Sequence, residues 1–239
     1  MPDTPKSIVY LRPDTIGDLI IFSSALAELQ AAWPHARHTL VVRTGYESLA
    51  PLFPSSLHWQ VTALNPFKQK PSESRDELTA LLAEISTLDP DLIVAPTLNR
   101  TWLEAAVAAH FPKIRSVVLG RHDVDPIFAT ALRLELGVDV ATAFTESVPA
   151  KEGERDWENQ HRLVDYLLGR NTARPRPSVS VPAAATARAT EFLARHGLPA
   201  GAFAAVFPAG LANVQVKAWP SAHFAETVLW LQRDRGLPV

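Results

Sequence analysis

Two short stretches carry residue types that could do chemistry. The first holds Asp14 and Asp18, in the polar turn Arg12-Pro13-Asp14-Thr15-Ile16-Gly17-Asp18 that follows the apolar run Ser7–Leu11. A carboxylate at a strand-to-helix turn has two uses. Its oxygen can cap the helix by accepting orphan backbone N–H bonds, or it can face the crevice beyond the strand and act as a general base. Spacing leaves both open for Asp18, while Asp14, after Pro13, suits a turn. The second stretch runs from Asn213 to Lys217-Ala218-Trp219-Pro220. An ammonium beside a helix N-terminus favours a phosphate; otherwise Lys217 is a solvated lysine and Trp219 is packing. Asn213 could add an amide hydrogen bond to the same anion, or simply form a turn.

The remaining candidates read more plainly. Arg100 suits a solvated helix start better than an anion contact, and Glu158 and His161 fit the charged outer face of an amphipathic helix. His35 and His38 stand three apart after a helix-ending proline with no acidic partner nearby, which points to an exposed loop, not a metal site. There is no G-x-G-x-x-G, P-loop, G-x-S-x-G or H-E-x-x-H pattern.

These residues need elements to position them. Phe22, Leu26, Leu29 and Trp33 recur at helical spacing, so 19–33 reads as a helix stopped by Pro34. Strands are expected at 39–42, 59–64, 91–95 and 116–119, with a brief helix ending at 52 and a polar loop at 65–74. Helices are expected around Leu78 to Leu88 and over 102–110. Strands alternating with helices predict an α/β fold with a parallel sheet over 6–120. Beyond it, 127–136 could be a helix, 143–145 extended, and 156–168 is a clear helix. The proline-broken stretch 170–177 sets a boundary between a first domain, 1–172, and a second, 173–239. The second should hold strands at 178–181 and 203–207, a helix at 184–196, and a helix opened by Pro220 and closed by Gly236.

The composition narrows the function classes. With 239 residues, 47% of them hydrophobic, and a net charge of -2, the chain is a globular protein without the basic face of a nucleic-acid binder. Zero cysteines exclude disulfides, thiol catalysis and cysteine-held zinc. No stretch approaches the roughly 20 apolar residues of a membrane span, and the N-terminus lacks the order of a signal peptide. A cytoplasmic protein is expected, with peripheral contact at the inner face of the membrane left open.

Residues Ile8 to Ile20 with their Ile16-Gly17-Asp18 core, then Ala25-Leu26, Trp33-Pro34, Asp91-Leu92-Ile93-Val94, the helix around Asn159 to Leu163, and Asn213 to Pro220 together resemble the family-9 glycosyltransferases, the ADP-heptose:lipopolysaccharide heptosyltransferases and their relatives. The resemblance covers nearly the whole chain. It implies a GT-B arrangement: a complete N-terminal Rossmann-like domain on the acceptor side, and the beginning of a C-terminal Rossmann-like domain that holds the nucleotide-sugar. It further implies an inverting, metal-independent transferase with no cofactor, a nucleotide-sugar donor and a glycan or glycolipid acceptor. Asp18 would deprotonate the acceptor hydroxyl, Thr15 and Gly17 would line the transferred sugar, and Lys217 would meet the diphosphate. This sequence has Pro208-Ala209-Gly210-Leu211-Ala212 where relatives show a His-Pro-Gly start, and the family's later Asp-Ser-Gly and Met-His stretch is not within it, so the second domain is expected to be incomplete. A non-catalytic or decayed sugar- or nucleotide-binding module, or a GT-B enzyme using another nucleotide-sugar, are the competing readings.

Overall fold

The computed structural model describes residues 4–98, 101–120, 126–208 and 219–239, apart from the side chain of Phe128. The chain divides into two compact units, Met1–Ser180 and Val181–Val239.

In the first unit, six strands alternate with helices: β1 (Ser7–Leu11), α1 (Ile16–Ala32), β2 (Arg37–Arg43), β3 (Leu57–Thr62), α2 (Arg75–Thr87), β4 (Leu92–Ala95), α3 (Trp102–His110), β5 (Arg115–Leu119), α4 (Pro126–Ala131), β6 (Glu146–Val148) and α5 (Asp156–Leu168). The strands form one sheet in the order β3-β2-β1-β4-β5-β6, and every neighbouring pair is parallel. β1 is buried along its whole length because both faces of the sheet are covered. Its side chains alternate between two cores. Ile8 and Tyr10 pack with Phe22 and Leu26 of α1 and Leu163 and Leu167 of α5. Val9 and Leu11 pack on the other face with Leu81 and Ile85 of α2 and Leu103 and Val107 of α3.

Several boundaries move from where periodicity set them. α1 begins at Ile16, three residues before the expected start, so Asp18 sits inside its first turn. The sixth strand lies at Glu146–Val148, not at 143–145. Thr145 is held instead by side-chain bonds: its hydroxyl accepts from the Ser116 N–H at 2.8 Å and its N–H donates to Ser116 Oγ at 3.0 Å. The expected strand at 178–181 is not formed: the Ser178 N–H donates to Ser23 Oγ and the Ser180 N–H to the Leu52 carbonyl, single bonds in place of a ladder.

The second unit holds α6 (Ala183–Arg195) and α7 (Ser221–Asp234), neither of which has a buried residue. Pro220 precedes α7 as its N-cap and does not occupy its first turn. The expected strand at 203–207 is not formed. One bond, from Ala204 N–H to the Pro238 carbonyl at 2.9 Å, brings that stretch beside the last residues, and one bond does not make a ladder.

Candidate functional site

The strand order reverses between β1 and β4. The chain leaves β1 toward α1 on one face and β4 toward α3 on the other, so a crevice opens beyond their carboxyl ends. A cleft of about 330 Å³ lies there, lined by Asp14, Thr15 and Asp18 from the turn after β1, Thr97 and Leu98 after β4, Phe67, and Asp156.

Thr15 is the N-cap of α1 and Asp18 its third residue. The Asp18 Oδ2 accepts from the Thr15 N–H at 3.0 Å and from the Thr15 hydroxyl at 2.6 Å. This is the return half of a capping box. Asp18 is therefore not the N-cap; it ties the cap residue from inside the helix. Both bonds end on one oxygen, so Oδ1 takes no part in the cap. Gly17 is exposed, and a Cβ built on it meets nothing closer than the Thr15 hydroxyl at 3.9 Å. Glycine in a helix costs about 1 kcal/mol relative to alanine, and no contact among the described residues requires it here.

Behind the cleft lies Arg12, fully buried. Its guanidinium donates to the Pro96 carbonyl at 3.2 Å, to Thr97 Oγ1 at 3.3 Å and to the Asp18 carbonyl at 2.6 Å, and pairs with Asp14 at 3.2 Å. One side chain thus joins the turn after β1, the start of α1 and the loop after β4. Burial raises the Asp14 carboxyl to about 6 against the pull of Arg12, with Asp18 adding repulsion. Burial also raises Asp156, again opposed by Arg12 and reinforced by Asp18. Asp14 is more than a turn former: it is the ion-pair partner that lets Arg12 be buried.

The start of α3 repeats the arrangement. Glu104 Oε2 accepts from the Thr101 N–H at 3.0 Å and from its hydroxyl at 2.6 Å. Here the carboxylate is sealed from solvent, and burial raises it to about 7 despite the Thr101 bonds that act to lower it. An acid with a higher pKa folded than unfolded holds more protons in the folded state. Its contribution is complete below the ordinary 4.5 and is lost as pH rises through about 7. Stability against urea is expected to fall by about 1–3 kcal/mol across that window. Glu104→Gln, which keeps an acceptor for Thr101 without the charge, should remove most of the slope between about pH 6 and about pH 7, above the range in which the raised Asp14 contributes. Parallel pH profiles for the two proteins would show that Glu104 is not the group responsible.

Asp156, Thr97 and Arg12 were not legible as a site in the sequence. Asp156 opens α5, and an acid in a helix's first turn is the one signal it shares with Asp18. Other candidates resolve differently. His161 is buried, not on an outer face: α5 packs on α1, and His161 Nε2 meets Ser24 Oγ at 3.1 Å. Glu158 caps its own helix through the Arg155 N–H at 2.8 Å. His35 is exposed as expected, but His38 lies inside β2, between the Tyr10 hydroxyl at 2.8 Å and the Trp33 carbonyl at 3.0 Å. Among the described residues, no group of three or more His, Cys, Asp or Glu is disposed to hold a metal ion. Asn213, Lys217 and Arg100 lie outside the described residues.

A second cleft, of about 730 Å³, shares Leu98 with the first and is lined by Gly120, Ser147, Lys151, Glu154 and Asn159, among others. Asn159 shapes it by accepting from the Lys151 N–H at 2.7 Å and donating to the Lys151 carbonyl at 3.2 Å.

No protein-family model matches the sequence, and no curated protein does either. Solved structures do. A glycosyltransferase family 9 protein from Veillonella parvula DSM 2008 matches 95% of this chain and 60% of its own, with a TM-score of 0.62 at 18% identity. The fold is that of the family-9 glycosyltransferases. The E. coli heptosyltransferase WaaC, solved with ADP-2-deoxy-2-fluoro heptose, matches 95% of this chain and 66% of its own, with a TM-score of 0.62 at 16% identity. E. coli ADP-heptose lps heptosyltransferase II matches 95% and 62%, with a TM-score of 0.63 at 15% identity. The α/β, GT-B-type reading of the sequence therefore holds for the fold. The chain spans less than two thirds of each of these family-9 structures, between 60% and 66% of their lengths.

Proposed function

We propose that this chain carries the acceptor side of an inverting, metal-independent glycosyltransferase. It moves a heptose-like sugar from a nucleotide-sugar of the ADP-heptose type to a lipopolysaccharide or other glycan acceptor. The observation that carries the reading is the free Oδ1 of Asp18, at the strand-order reversal and on the rim of a cleft. In the reaction the acceptor hydroxyl donates to that oxygen. Its proton passes to the carboxylate as its oxygen attacks the anomeric carbon, and the bond to the nucleoside diphosphate breaks on the opposite face. Attack opposite the leaving group inverts the anomeric centre. Thr15 fixes the base through its two bonds to Oδ2, and the bare backbone of Gly17 admits the sugar.

On the donor side, Lys217 and Asn213 precede α7 in the sequence and would meet the diphosphate; a cation beside a helix N-terminus can neutralise the departing charge. That two forms of the E. coli heptosyltransferase WaaC were solved with ADP or an ADP-heptose analogue supports a nucleotide-sugar donor. Among the described residues, no helix is long and apolar enough to cross a membrane. A glycolipid acceptor would be met in the cytoplasm, at the inner face of the membrane.

The test is a transfer assay with ADP-heptose and heptose-deficient lipopolysaccharide, with and without a chelator, the product's anomeric configuration being read by NMR. Inverted product that persists in chelator is expected. Binding of ADP without any product would favour the non-catalytic module.

A further inference from the structure

The proline-broken stretch 170–177 reads in the sequence as a free boundary, yet the first compact unit runs on to Ser180. The chain after α5 is fastened along that unit. Gly169, with a φ of 62°, ends α5 and turns the chain back. Asp165, in the last turn of α5, takes up the returning chain. Its Oδ1 accepts from the Thr172 N–H and hydroxyl, both at 2.7 Å, and its Oδ2 pairs with Arg174 at 3.0 Å. Farther on, the Ser178 N–H donates to Ser23 Oγ of α1 at 3.0 Å and the Ser180 N–H to the Leu52 carbonyl at 3.1 Å. Amides two residues apart leave an extended chain on the same side. Between them, Val179 packs on the core that α1 and α5 share. Pro175 and Pro177 fix their own φ and hold the residues before them extended, so less freedom is lost when the stretch docks.

Docked in this way, the stretch is ordered but weakly held. Arg174, Pro175, Arg176, Ser178 and Ser180 are exposed, and Val179 is only partly buried. Segments with few buried apolar contacts open at little cost, before the core does. The hold is concentrated at Asp165, which grips two residues of the stretch. Burial acts to raise its carboxyl, but the bonds from Thr172 and Arg174 outweigh burial and keep it below the ordinary value, so the grip stays charged at neutral pH. We propose that residues 171–180 form a releasable strap latched by Asp165, which sets where the joint to the second unit begins. With the strap docked, the joint begins at Val181. With the strap released, the joint gains a segment that spans at most about 33–36 Å when fully extended. The device therefore controls the reach of the second unit, and it holds whatever reaction the protein performs.

Amide hydrogen exchange tests the latch. In the wild type the Ser178 and Ser180 amides are expected to be protected. Asp165→Ala, a change to a good helix former, should lower that protection about tenfold or more, although neither amide touches Asp165, while the amides of β1 and β4 keep theirs. The double variant Thr172→Val with Arg174→Ala alters the strap alone and should give the same loss, so the test survives if Asp165→Ala fails to fold. Spin-label distances test the reach. The chain has no cysteine, so Lys113→Cys and Arg188→Cys, both at exposed positions, give one labelled site in each unit. Their distance distribution should shift to longer values and broaden when either set of strap substitutions is added. Unprotected Ser178 and Ser180 amides in the wild type would overturn the strap. So would unchanged protection in both variants, or unchanged distances once protection is lost.

Discussion

Replacing Asp18 with Asn is expected to lower the rate of sugar transfer by about 10²–10⁴-fold, the usual worth of a positioned general base, while the fold stays intact. Asp18 has two tasks, and the substitution separates them. Its structural task is to accept from the Thr15 N–H and hydroxyl through Oδ2. An asparagine carbonyl can accept both bonds, so the first turn of α1 keeps its tie. Its chemical task needs an oxygen that takes a proton, and an amide cannot do that. The loss should fall on kcat, with the acceptor KM and the affinity for ADP nearly unchanged. Calorimetry with ADP and steady-state kinetics on the wild type and variant would measure it. Near-normal transfer would remove Asp18 from the base role and turn attention to the neighbouring carboxylates.

Replacing Arg12 with Met should destabilise the protein by about 3–5 kcal/mol, as expected when one partner of a buried ion pair is removed. The variant strands Asp14, whose side chain is almost fully enclosed, and leaves the Pro96 and Asp18 carbonyls without their donor. Lysine should recover little, because a single ammonium cannot span three chain segments as the planar guanidinium does. The double variant Arg12→Met with Asp14→Leu should regain much of the loss, since it removes both charges. Urea denaturation of the wild type and the three variants decides the matter. A loss below about 1 kcal/mol for Arg12→Met would mean that the buried network is not what holds β1, α1 and the loop after β4 together.

Much of the fold was legible because hydrophobic period is a local property. Short β-branched apolar runs at Ser7–Leu11 and Leu92–Ala95 fit strands covered on both faces, and the spacing of Leu163 and Leu167 fits one face of a helix; Tyr166, read on the same side, is exposed, and Val164 is the third residue buried there. Periodicity was weaker where side chains replace the ladder. Thr145 looked extended, but it is fixed by mutual bonds with Ser116, and pairing begins one residue later. It failed at 203–207, where the β-prone residues are present but, among the described residues, only the bond from the Ala204 N–H to the Pro238 carbonyl pairs the stretch with another segment.

The site divides in the same way. The sequence by itself determined that an acid stands in the turn after the first strand, that Thr15 and Gly17 flank it, and that the strand-helix alternation puts this turn at a sheet edge. All of this lies within a dozen residues, where bonding geometry is short-range. Only the tertiary structure decided that Asp18 ties the cap from the third helical position through one oxygen, with the other outside the cap. It also decided that Arg12 turns inward to bind the loop 84 and 85 residues away, and that Asp156 reaches the same cleft from another helix. Such meetings depend on strand order. The reversal between β1 and β4 arises from the packing of six strands and their helices together, and no local pattern of residues encodes it.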